Sequence, residues 1–219
     1  MGTKWLLALL LGSFSVACLS CATNETSGTP ADDSHKVAGR VRGGVYGRFN
    51  LHYYVRKGVN WPSAASVPRA ARTATRTVCI ASYANFTDCT GHSFLPYNTQ
   101  FRVGSWRNGF RLVAVGTRMQ IYFEYESGSM QGMPVKEYIR TITSPWPIDY
   151  EGLNAQDQEG IKAGKAMVGM TKQGVMVALG YPATSKTPST DLNAWVYSKD
   201  RFNTLTVNFG PDGVVESLQ

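Results

Sequence analysis

The sequence predicts an α+β protein: a basic antiparallel β-barrel-like domain followed by an α-α-β-β-β module. Three observations predict it. Apolar and polar residues alternate in short runs between Gly39 and Tyr125, the signature of half-buried strands. The stretch Val168–Pro182, VGMTKQGVMVALGYP, couples a helix start signal to a helix stop signal, and three strand-like runs follow it. The chain begins with a short apolar leader and a polar tether, which take the folded part out of the cytoplasm.

Met1–Ala17 carries one lysine, Lys4, then the apolar run Trp5–Leu11 and small residues. That is a secretory signal and too short to span a bilayer. A lipoprotein signal ends at a cysteine preceded by small residues; Cys18 follows Ser15-Val-Ala17, and Cys21 is the alternative. Cys18 fits better, because a second cysteine three positions upstream of the lipidated one is unusual. A plain signal cut near Ala22 is the other reading. Residues 22–38 are polar and nearly devoid of apolar side chains, so they read as a flexible tether. The expected organisation is signal peptide 1–21, tether 22–38, basic β-rich domain 39–130, helical connector 131–150 and module 151–219.

In the β-rich domain the strand runs are Phe49–Val55, Thr77–Tyr83, Gln100–Val103, Phe110–Val115 and Met119–Tyr125. Arg107-Asn-Gly109 supplies a hairpin turn, since Asn-Gly tolerates positive φ angles. Residues Pro62–Arg76 are small and basic and read as a long loop. Alternation places Ile121, Phe123 and Tyr125 inward and leaves Glu124 and Glu126 on a solvated face.

In the connector, Pro134 opens a helix that sets Val135, Tyr138, Ile139 and Ile142 at helical spacing, and Ser144-Pro-Trp-Pro147 ends it. Asn154 caps the next helix, with Asp157 and Glu159 early and Lys162 and Lys165 late, which complements the helix dipole. Thr171 caps the third helix, Val175 and Leu179 share its buried face, and Gly180 stops it before Pro182. Trp195–Tyr197, Thr204–Phe209 and Val214–Leu218 read as strands, with a turn at Pro211-Asp-Gly213.

The C-terminal string resembles the BamE (SmpA/OmlA) family of outer-membrane lipoproteins over about the last 60 residues. The matching residues are Val168, Gly169, Met170, Thr171, Val175, Ala178, Leu179, Gly180 and Pro182, then Trp195 and Tyr197, Leu205–Phe209 and Gly213. Phe94–Thr99, leading into a strand and the Trp106 hairpin, resembles in texture the bacterial SH3-like modules of envelope proteins. The BamE-like resemblance implies a non-enzymatic scaffold or accessory of outer-membrane protein assembly or envelope integrity, a lipoprotein facing the periplasm. A secreted or soluble periplasmic protein is the alternative location. Alternative roles are binding of anionic lipid, lipopolysaccharide or cell-wall glycan, and a secreted protein inhibitor.

Charge is unevenly divided. Gly39–Arg118 holds twelve Lys and Arg against the single acid Asp88, whereas Met119–Gln219 holds eight basic and eleven acidic residues. Such a field favours anionic partners, lipid headgroups or lipopolysaccharide phosphates, and Arg69, Arg72 and Arg76 are the candidate anion-binding residues. Nucleic acid is excluded as a partner for an exported chain.

Two cysteines remain in the folded part. Cys79 and Cys89 close a short loop and are expected to form a disulfide in an oxidising compartment. Cys89-Thr-Gly-His92, with Cys79 and His52, has ligand types suited to zinc, but the set is scattered and no metal is expected. Enzyme chemistry finds no foothold: His35, His52 and His92 fall on the tether, a strand and a loop without a nucleophile elbow, and Gly160–Lys165 lacks the length and the Ser or Thr of a P-loop. No catalytic residue and no cofactor is expected.

Overall fold

Strand alternation decides what each face of the sheet buries. The computed structural model describes residues 44–59, 76–106, 109–117 and 119–219. The signal, the tether, Cys18, Cys21, Arg69 and Arg72 lie outside them, as does the side chain of Arg76. Strands β1 (Val45–Gly47), β2 (Leu51–Val59), β3 (Arg76–Ser82), β4 (His92–Leu95), β5 (Gln100–Trp106), β6 (Gly109–Ala114), β7 (Gln120–Glu124) and β8 (Thr143–Ser144) form one curled, eight-stranded sheet. Its order is β4-β2-β3-β7-β6-β5-β1-β8.

Cross-strand partners share a face. Leu112 stands opposite Ile121, Phe110 opposite Phe123 and Phe101 opposite Ala114, and all six are buried on the inner side. Helix α1 (Val135–Ile142) seats Tyr138 and Ile142 against them, with Phe110 and Phe123 stacked at 4.5 Å between ring centroids. Each fully buried aliphatic or aromatic side chain there contributes about 1.5–3 kcal/mol.

Two features depart from the expected antiparallel barrel of five or so strands. The sheet is mixed, because β3 and β7 run parallel with Cys79 opposite Ile121 and Ala81 opposite Phe123. Three strands intervene between them in the chain, and only short hairpin connections force antiparallel neighbours. The sheet is also wider, because the short strands β1, β4 and β8 add at its edges. The β5–β6 pairing ends at Trp106 opposite Gly109, where the Asn-Gly step predicts the hairpin; Arg107 and Asn108 lie outside the described residues.

A second core follows. Helix α2 (Ala155–Ala163) is capped by Asn154, whose side chain accepts from Asp157 N while the Asp157 carboxylate accepts from Asn154 N. Helix α3 (Lys172–Leu179) is capped by Thr171, and β9 (Ala194–Ser198), β10 (Thr204–Phe209) and β11 (Val215–Leu218) form an antiparallel sheet of order β11-β10-β9. Met170, Val175, Leu179, Trp195, Val207 and Phe209 close this core. Both cores belong to one compact unit.

Candidate functional site

The two cores are joined at the end of α3. The last carbonyls of any helix lack partners inside it. Here they are taken up by tertiary donors. Val177 O accepts from Asn50 N at 2.8 Å, Ala178 O from His52 Nε2 at 2.8 Å, Leu179 O from Asn85 Nδ2, and Gly180 O from the Tyr197 hydroxyl at 2.9 Å. Gly180, at φ 78°, turns the chain out of the helix in a conformation that a side chain disfavours. Asn50 is fully buried; its amide donates to Ile161 O and its Oδ1 accepts from Tyr97 N, so α2 is tied to the sheet as well.

His52 is therefore a helix cap. A carbonyl only accepts, so His52 Nε2 carries the proton, and its Nδ1 accepts from His92 Nε2 at 2.8 Å. Burial pushes the His52 pKa down to about 4, against the opposing effect of the Ala178 bond. Burial also lowers the His92 pKa, which Asp88 opposes and Lys165 reinforces. Among the described residues no three His, Cys, Asp or Glu side chains come together as a metal site.

Cys79 and Cys89 are free thiols, not the disulfide expected from their spacing. The sheet's alternation is the reason. Cys79 lies across from Val55 and Ile121 and packs on the inner core, whereas Cys89 belongs to the loop over Tyr54 and Arg56, on the opposite face of β2. Burial raises both thiol pKa values.

That loop helps to form a cleft of about 450 Å³. Tyr54 and Phe86 meet edge-on in it at 6.0 Å between ring centroids, Asp88, Cys89 and Thr90 form one wall, and Asp200, Arg201 and Phe202 of the β9–β10 turn form the other. Arg56 donates to the Tyr54 hydroxyl at 2.7 Å, lies over its ring, and stands 3.7 Å from Glu124. Burial raises the Tyr54 pKa, Glu124 adds to that, and Arg56 opposes it. Asp200 folds its turn, accepting from Phe202 N, Asn203 N and Asn203 Nδ2, bonds that lower its pKa. Its neighbour Phe202 is 92% exposed at the cleft rim.

The residues that carry the family resemblance cluster in the second core and around its caps. Gly169 N donates to Val215 O, Thr171 Oγ1 accepts from Gly174 N, and the Trp195 indole donates to Leu192 O at 3.0 Å. Met170, Val175 and Leu179 are buried, as is Pro182, and Tyr197 reaches Gly180. All hold the fold. The cleft residues Tyr54, Arg56, Phe86 and Phe202 were not singled out from the sequence; the available signal was a phenylalanine inside the polar turn Lys199-Asp-Arg-Phe-Asn203. No family model, curated protein or solved structure matches this chain.

Proposed function

We propose that this chain is a non-enzymatic accessory protein of the bacterial envelope. A lipidated Cys18 anchors it to the outer membrane facing the periplasm, and it holds a segment of an outer-membrane assembly protein in the Phe202 cleft. Phe202 carries this reading: a phenyl ring 92% exposed stands at a cleft that Tyr54 and Phe86 also line, so one partner segment can cover all three aromatic side chains together. Aromatic and arginine side chains at the centre of a patch with charges at its rim are the composition of binding hot spots. The occupant suited to it is an extended peptide with one apolar anchor for the recess and polar neighbours for Asp88 and Arg201. The finer fold reading of the second core, a BamE-like α-α-β-β-β module, belongs to the same proposal and is supported by the order α2, α3, β9, β10, β11 and by the two capped helices. No helix among the described residues is long and apolar enough to cross a membrane.

The test is crosslinked capture from envelopes with the full chain, its Phe202→Ser variant and its Arg69, Arg72, Arg76 triple alanine variant. The proposal expects assembly proteins with the first and third and loss with the second. Equal recovery with Phe202→Ser refutes the cleft, and an unmodified mature N-terminus at Thr23 refutes the anchor.

A further inference from the structure

A second cavity, of about 190 Å³, lies where the ends of α2 and α3 meet the end of the second sheet. Alternation along β10 accounts for its apolar side. Leu205 points to the same face as Val207 and Phe209, and Leu218 stands opposite Val207, so these two leucines continue the inner face of that sheet to its last residues. Val207 is fully buried in the core, whereas Leu205 and Leu218 are half-buried and line the cavity. Leu179 and Ala166 complete the apolar wall, and Ala166 contributes only a methyl group to it.

The polar side is held by the main chain. Thr87 N donates to Ser198 O at 3.0 Å and Asp88 N to Lys199 O at 2.9 Å, which ties the loop after β3 to the end of β9; Lys165 N donates back to Gly160 O at 3.0 Å. Lys165, Lys199 and Asp88 all line the cavity. Lys165 is exposed and Lys199 half-buried, and neither ammonium has a hydrogen-bond or ion-pair partner among the described residues. Their flexible four-carbon stems let both reach one acceptor group. Two lysines against one aspartate leave a single positive charge, which suits a monoanion better than a phosphate dianion. The size fixes the apolar part of the ligand. A cavity of about 150 Å³ admits one benzene molecule, so this one takes a chain of about six carbons.

We propose that this cavity is a binding site for a short-chain carboxylate of about six carbons, with the alkyl chain against Leu179, Leu205 and Leu218 and the carboxylate held by Lys165 and Lys199. The site is separate from the Phe202 cleft, with which it shares Asp88. The test is an NMR titration of the full chain with acetate, butanoate, hexanoate, decanoate, hexan-1-ol and inorganic phosphate. Affinity is expected to rise about fourfold for each methylene group from butanoate to hexanoate, since each leaves water, and to level off at decanoate, whose further carbons find no room. Hexan-1-ol, with the same chain and no charge, is expected to bind about tenfold more weakly than hexanoate. Replacing both lysines, Lys165→Gln with Lys199→Gln, is expected to weaken hexanoate binding by about tenfold, and the chain-length series needs no variant at all. Hexanoate that binds no more tightly than acetate or inorganic phosphate reduces the site to a bare anion contact and overturns the proposal. Equal affinity for hexan-1-ol leaves a plain apolar hollow, and affinity that climbs at the same rate through decanoate marks adsorption to a surface; each overturns it too. No saturable binding of hexanoate, or binding untouched by the lysine substitutions, refutes it outright.

Discussion

Replacing Gly174 by alanine is the sharpest test of how the two capped helices are locked together. Gly174 lies inside α3, where alanine normally gains about 1 kcal/mol over glycine. The structure reverses that sign, because a Cβ at position 174 would fall on the Asp157 carboxylate. Asp157 is fully buried and has nowhere to go. Its oxygens accept from Asn154 N at 3.0 Å, Thr171 N at 2.7 Å and Thr171 Oγ1 at 3.0 Å, so it serves both helix starts at once. Bonds to a charged acceptor are worth about 1.5–3 kcal/mol each, and overpacking adds about 1–3 kcal/mol. Losing even one bond while α3 shifts outweighs the propensity gain, and the expected net loss is about 2–4 kcal/mol. Urea unfolding should show a lower midpoint at unchanged slope. The double variant Asp157→Ala with Gly174→Ala should be no less stable than Asp157→Ala alone, since the obstacle is gone and only the propensity gain remains. A neutral or stabilising Gly174→Ala in the otherwise native chain would refute the reasoning.

Three further outcomes are expected. Leu179→Ala, at a side chain 1% exposed in the core with Trp195 and Phe209, should cost about 2–5 kcal/mol in denaturant unfolding, and a loss below about 1 kcal/mol contradicts that packing. His52 has a folded pKa of about 4 against an ordinary 6.5, so the unfolded chain takes up its proton first on acidification. Its contribution is intact above pH 6.5 and is lost between 6.5 and about 4, a fall of about 3 kcal/mol that should appear in the difference between native chain and His52→Gln; the lowered His92 pKa acts in the same direction. Cys79 and Cys89 should both label as free thiols after unfolding without reductant, and a peptide pair linked through these two cysteines would contradict the opposite-face geometry.

What the sequence showed and what it hid divide along physical lines. Alternation in Met119–Tyr125 correctly turned Ile121 and Phe123 inward, because that strand buries one face. The helix caps at Asn154 and Thr171 were legible because the capping residue and its acceptor site lie within one turn. The three-residue β1, the four-residue β4 and the two-residue β8 were not, since strands so short are defined by the partner they pair with rather than by their own pattern. The parallel β3–β7 pair is a choice of topology, and no local signal encodes it. His52, Asn50 and Asn85 gave no hint that they would cap α3, whose end lies some hundred residues downstream. The cleft was hidden for the same reason: β2, the loop after β3 and the β9–β10 turn meet only in the folded chain. Spacing alone made a disulfide of Cys79 and Cys89, and only the face of the sheet separates them.

The central claim is that Phe202 and its cleft hold an envelope protein partner. The measurement that tests it most directly is photo-crosslinking in cells, with a photoreactive phenylalanine at position 202 in the full lipidated chain and, as the comparison, at the exposed Trp146. The account predicts that position 202 crosslinks to an outer-membrane assembly protein through a defined peptide and that position 146 does not give that product. Crosslinking from position 202 to lipid or glycan alone, or the same protein captured equally from both positions, would contradict it.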